Sequence, residues 1–247
     1  MTTAVGYHKI AGKFYSDLFD RERKATKQIV PELLGETVHH YVHAGDRRRV
    51  QDLAFYREEL KVAARSHYRN GEQDNYDMAF REYKAIAEMD QKNADAQLHL
   101  ALIYARRNQW SNAERHFGKA SELQPNAHWI LQAFGAAKLR ADKIAEAEHL
   151  LKRAEELNPN YSPTLVDLGR LYERQQDFDS AEGYYRQAVE ADCNNSFAYS
   201  RLARLLYRLG EIKEAFEMAK AALATKPVDE RNKALVREFR DKLNEKK

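Results

Sequence analysis

Small and large apolar residues recur along this chain on one fixed period. Alanines followed seven residues later by a small or apolar residue stand at Ala79, Ala113, Ala147, Ala181 and Ala215, each 34 residues after the last. Three positions before them lie Tyr76, Trp110, Ile144, Phe178 and Ile212; four after lie Tyr83, Phe117, Leu151, Tyr185 and Ala219. Seven after come Ile86, Ala120, Ala154, Ala188 and Ala222, which completes a stripe at helical spacing. Twelve after each alanine, Pro125, Pro159 and Pro227 share a column with Gln91 and Cys193, and proline there stops the helix.

A second stripe precedes each alanine. Thirteen and twelve residues upstream stand Leu100-Ala101, Phe134-Gly135, Leu168-Gly169 and Leu202-Ala203, a large residue beside a small one each time. Between the stripes, Asn108, Asp142, Gln176 and Gly210 fill one polar column that breaks a helix or accepts a left-handed conformation. Each unit therefore reads as two helices joined by a tight turn. The small residues allow close approach, and the aromatic and aliphatic columns fill the groove between the helices.

These 34-residue units resemble the tetratricopeptide repeat. ADAQLHLALIYARRNQWSNAERHFGKASELQPN and SPTLVDLGRLYERQQDFDSAEGYYRQAVEADCN carry the pattern best, while the unit between them departs from it at Lys138, where its neighbours have Tyr104 and Tyr172. The resemblance implies an all-α fold, a right-handed α-solenoid of helix-turn-helix repeats. Its array is expected over residues 76–229, a partial repeat at 76–93 and four full repeats after it. Terminal solenoid units need a closing helix with a polar outer face, and Leu235, Val236, Phe239 and Leu243 share one face of such a capping helix within 230–247.

Upstream the register fails. Residues 29–75 have apolar positions at helical spacing, then a Gly45-Asp46 turn, like a degenerate repeat in which Val50 replaces the column alanine. Residues 1–28, with Tyr7, Phe14, Tyr15 and Phe19, suggest a short amphipathic helix. Exposed aromatics at this end would also permit self-association.

Composition narrows the function classes. Ten Gly and five Pro in 247 residues are too few for an all-β protein. One cysteine, Cys193, excludes an internal disulfide framework and predicts a reducing, cytoplasmic setting. The N-terminal MTTAVGYHKIAGKF has no apolar core of signal length, and no stretch approaches the roughly 20 apolar residues that cross a bilayer, so no membrane insertion is expected. No glycine loop for phosphate, Gly-x-Ser-x-Gly or HExxH is present, so neither an enzyme nor a cofactor is implied. His39 and His43, four apart, could face one metal, but no acidic or cysteine ligand lies at a matching offset; they read as a polar face.

A net charge of +3 does not require nucleic acid, yet the basic residues are ordered. Seven before the column alanines stand Arg106, Arg140, Arg174 and Arg208, with Arg170, Arg201 and Arg204 at helical offsets from the last two. If first helices line the inner wall of a superhelix, that wall is basic, with Trp129 and Phe197 facing it and Asp167, Glu173 and Glu211 neutralising part of it. Arginine favours carboxylate and phosphate through its forked donors. The expectation is a protein–protein interaction adaptor that takes an acidic peptide or helix of a partner. Modest net charge and few wall aromatics count against RNA, the alternative ligand of the same ladder; the interaction or sensor portion of a larger signalling protein is another. The columns that carry Lys and Asn in chaperone-binding members read Leu98, Gln132, Val166, Ser200 and Leu102, Ala136, Arg170, Arg204, so that clamp is missing.

Overall fold

The computed structural model describes residues 4–26, 31–44, 57–70 and 73–245, and between them positions 46, 48, 50 and 53. All thirteen elements among the described residues are helices. The chain divides into two compact units, Met1–Pro125 and Asn126–Lys247.

The first unit holds α1 (Ala4–Thr26), α2 (Pro31–His43), α3 (Arg57–Asn70), α4 (Gln73–Met89), α5 (Ala94–Arg106) and α6 (Trp110–Leu123). Its core gathers Phe19 of α1, Leu34 and Val38 of α2, Ala64 of α3, Ala79, Tyr83 and Ile86 of α4, and Leu100 of α5. α3 pairs with α4, adding a first helix ahead of the pattern that begins at Tyr76. Its signature was hidden because Ser66-His67 occupy the columns in which later units have a large and a small apolar residue. In α5–α6 the period is regular, and Ala113, Phe117 and Ala120 are all buried.

The second unit holds three helix pairs and a final helix: α7 (His128–Arg140) with α8 (Ile144–Leu157), α9 (Ser162–Gln175) with α10 (Phe178–Ala191), α11 (Ser196–Leu209) with α12 (Ile212–Thr225), then α13 (Glu230–Glu245). The column alanines Ala147, Ala181 and Ala215 are fully buried, as are Leu151 and Tyr185. The glycines facing them have no room for a methyl group. A Cβ on Gly135 would stand 2.7 Å from Leu151 Cγ, and one on Gly169 2.5 Å from Cε1 of the Tyr185 ring. Close helix approach is what the small column supplies.

The turns agree with their column. Asn108, Asp142 and Gln176 have φ of 58°, 61° and 64°, and Gly210 has 91°. Side-chain caps open several helices: Asn93 accepts from the Ala96 N–H, Asp177 from Ser180 and Asn195 from Ala198. Polar bonds then tie one pair to the next. Asn195 Nδ2 donates to Ser162 Oγ, which donates to the Ala188 carbonyl; Asn232 Nδ2 donates to Ser196 Oγ and the Ala222 carbonyl. Lys138, where the repeat pattern breaks, is 5% exposed and is held by Glu146 and the Phe134 ring. α13 buries Leu235 and Phe239, the latter stacked on Tyr207 at 4.5 Å, and leaves a charged outer face.

A candidate peptide-binding wall on the first helices

Arg106, Arg140, Arg174 and Arg208 are all exposed, and each lies in the last turn of a first helix. A cation there is favoured by the helix dipole, typically by about 0.3–1 kcal/mol. The 34-residue spacing of these arginines thus has a structural cause of its own, and a binding role depends on what else surrounds them.

Two adjoining depressions open on the first helices of the second unit. One, of about 270 Å³, is lined by Arg170, Glu173 and Arg174 of α9 and by Arg201 and Arg208 of α11. The other, of about 370 Å³, takes Gln132, Ala136 and Arg140 from α7, Pro163, Val166, Asp167 and Arg170 from α9, and Phe197 from α11. Arg170 belongs to both. Five arginines therefore face two carboxylates, Asp167 and Glu173.

Part of this charge is neutralised within the fold. Arg170 donates to Asp167 Oδ1 at 2.6 Å, Arg174 to Asp142 Oδ1 at 2.6 Å, and Arg208 to Glu173 Oε1 at 2.8 Å with its guanidinium 4.8 Å from the Phe178 ring centre. Asp167 is buried and also accepts from Gln132 Nε2 at 2.7 Å; burial pushes its carboxyl up, while Arg170 and this bond pull it back. The Tyr185 hydroxyl donates to the other oxygen of Glu173. Arg201 stands 5.1 Å over the half-exposed Phe197 ring. Among the described residues, no carboxylate forms a salt bridge with Arg140, Arg201 or Arg204.

The remaining residues read from the sequence, exposed Arg204 of α11 among them, line neither depression. Arg106, in the first unit, lies 4.2 Å over the Tyr76 ring. Trp129 is 46% exposed and meets the His128 ring edge-on. Glu211, which precedes α12, lines neither depression.

Family models for the tetratricopeptide repeat match residues 138–192 and 166–230. Residues 138–230 are tetratricopeptide repeats. Solved structures agree on the fold. PilF of Pseudomonas aeruginosa is 19% identical with a TM-score of 0.62, covering 77% of this chain and 87% of that one. A thermophilic TPR protein from Thermus thermophilus is 20% identical with a TM-score of 0.65, over 73% and 98% of the two chains. PilW, a widely conserved type IV pilus biogenesis factor, is 20% identical with a TM-score of 0.61, over 76% and 91%. No curated protein matches the sequence. Tetratricopeptide repeats are protein–protein interaction scaffolds.

The repeats also form a cavity that no sequence column announced. About 580 Å³ in volume, it lies between α4, α5 and α6 and is lined by Lys84, Gln97, Tyr104, Arg115, His116 and Lys119 among others. Its residues come from three helices and the turn after α4, and Glu88 and Glu122 are the one pair of them that shares a column of the repeat. His116 stacks on Tyr104 and its Nδ1 lies 2.7 Å from Gln97 Oε1; burial first, then Arg115 and Lys119, push it down to about 4. Folded His116 then stays neutral while an unfolded imidazole takes up a proton as the pH falls from 6.5, so stability is lost between pH 6.5 and about 4. His116→Phe, which keeps the stacking, is expected to flatten urea-midpoint loss across that window; equal slopes for both proteins would contradict the assignment.

Other chemistry finds no constellation. Among the described residues no group of three or more His, Cys, Asp or Glu is placed to hold a metal ion, and no helix is long and apolar enough to cross a membrane. The side chain of His43 lies outside the described residues, as does that of Tyr7; His39 instead neighbours His8 and His40. Cys193 is exposed after α10; in α1 Phe14 is exposed and Phe19 is buried.

Proposed function

We propose that the protein is a non-enzymatic adaptor that holds an acidic segment of a partner against α7, α9 and α11 and so helps organise a multiprotein assembly, with a cytoplasmic location. The observation that carries this reading is the imbalance of five arginines over two carboxylates on one wall, both carboxylates already satisfied from within. Among the described residues, none of Arg140, Arg201 and Arg204 is held by a carboxylate, which leaves their forks for a ligand. Phe197 beside Arg201 supplies an apolar anchor of the kind that concentrates binding energy.

The test uses the arginines whose reversal leaves the internal ion pairs alone. The triple variant R140E/R201E/R204E is expected to lose partners captured by the wild type at physiological salt, about tenfold or more in retention, the equivalent of about 1.4 kcal/mol. Crosslinks from wild-type complexes should map to acidic stretches of those partners. Retention that is unchanged in the variant, or crosslinks that fall on α8, α10 and α12, would put the binding face elsewhere. Binding that survives only as single-stranded RNA retention would favour the nucleic-acid reading instead.

A further inference from the structure

Resting on that reading, we propose that the depression ringed by Arg170, Arg174, Arg201 and Arg208 recognises a phosphoserine or phosphothreonine within the partner's segment. Four guanidinium groups converge there from two consecutive first helices, and Glu173 is the one carboxylate in the lining. That carboxylate is not positioned to quench all four: one oxygen takes Arg208 and the other takes the buried Tyr185 hydroxyl.

The existing pairs leave capacity for a ligand. Arg174 is joined to Asp142 in an exposed pair, with side chains 45% and 80% exposed, and such pairs contribute little. Arg201 is held against the Phe197 ring rather than by a carboxylate. A guanidinium carries five N–H donors, and Arg170, Arg174 and Arg208 each spend one in the bonds described here. The depression thus presents many unused donors around a nearly carboxylate-free centre.

A carboxylate has two oxygens and one charge, which a single arginine fork satisfies. A phosphomonoester has three terminal oxygens and about −1.5 to −2 charges at neutral pH, and it can be met from several sides at once. Four cations from α9 and α11 around one small space match the second ligand better than the first. The neighbouring depression, with Ala136, Pro163, Val166 and Phe197, would seat an apolar side chain of the same segment, since Arg170 borders both.

Short degenerate peptide pools with a fixed central phosphoserine, glutamate or serine, immobilised and probed with the purified chain at physiological salt, test the assignment. The phosphoserine pool is expected to retain the protein about tenfold better than the glutamate pool, with inorganic phosphate competing. R201K and R208K, which keep the charge and lose the fork, should bring the phosphoserine pool down to the glutamate level, whereas K213E on α12 should leave the preference intact. Equal retention on phosphoserine and glutamate pools overturns the phosphate assignment and leaves the acidic-segment reading standing. Retention no better than on serine overturns both. A phosphoserine preference that persists in R201K and R208K removes this depression as its source.

Discussion

Gly169→Ala is expected to destabilise the unit Asn126–Lys247 by about 1–3 kcal/mol, the usual cost of overpacking a filled core. Helix propensity alone predicts the opposite, because alanine is favoured over glycine by about 1 kcal/mol inside a helix. Packing wins here for a geometric reason. The new Cβ would sit 2.5 and 2.6 Å from two carbons of the Tyr185 ring, and that ring is fully buried with its hydroxyl tied to Glu173. A flexible side-chain end could swing aside; a planar ring pinned at its far end forces the helices apart. Gly183 provides the contrast, since it is also within a helix and a Cβ there meets nothing within 4 Å. Gly183→Ala should raise the urea midpoint, by about 0.5–1 kcal/mol in stability. A Gly169→Ala protein as stable as the wild type would mean that α9 and α10 are less tightly apposed than described.

Tyr185→Ala is expected to cost more, about 3–5 kcal/mol, the range for truncating a large buried aromatic. Its ring fills the groove between α9 and α10, and its phenol stays neutral at any working pH because burial, followed by the nearby Glu173 carboxylate, holds the hydroxyl well above its ordinary range. The two substitutions should also couple. In the Tyr185→Ala background the methyl of Ala at position 169 enters space the ring has vacated, so the double variant should be more stable than the sum of the singles by about 1–3 kcal/mol, within the range for residues in contact. Chemical denaturation of the four proteins measures this directly. Additive costs would show that Gly169 and Tyr185 do not share the volume assigned to them.

Both predictions rest on columns that were visible in the amino-acid order. The fold was legible because packing one helix pair on the next repeats the same steric problem every 34 residues, and the same residue types solve it: Gly169 opposite Tyr185, Gly135 opposite Leu151. The left-handed turns were legible for the same reason, even at Gln176, whose side chain has no special liking for positive φ but whose column does. α3 was not, because Ser66-His67 replace the large and small pair that identifies a first helix.

The wall was only half legible. Spacing could put Arg174 and Arg208 on one face, but it could not reveal that Asp142 and Glu173, 32 and 35 residues earlier, would take a donor from each. Nor could it separate Phe197, which stands in a depression beside Arg201, from Trp129 in the same column, which rests against His128. Contacts of that kind depend on side chains from neighbouring pairs, and no single column records them.

Those contacts give the array a property that its apolar columns lack. Judged by alanines and aromatics alone, the unit at 128–161 and the unit at 162–195 are exchangeable. Yet Arg174 needs the turn aspartate of the unit before it, Arg208 needs Glu173, and Asn232 of α13 needs Ser196. Each polar bond is written half in one unit and half in the next, so a shuffled array would still bury its core while leaving these partners stranded. The polar bonds therefore work as addresses: they specify which unit follows which, and with that order they fix where along the wall its arginines are gathered.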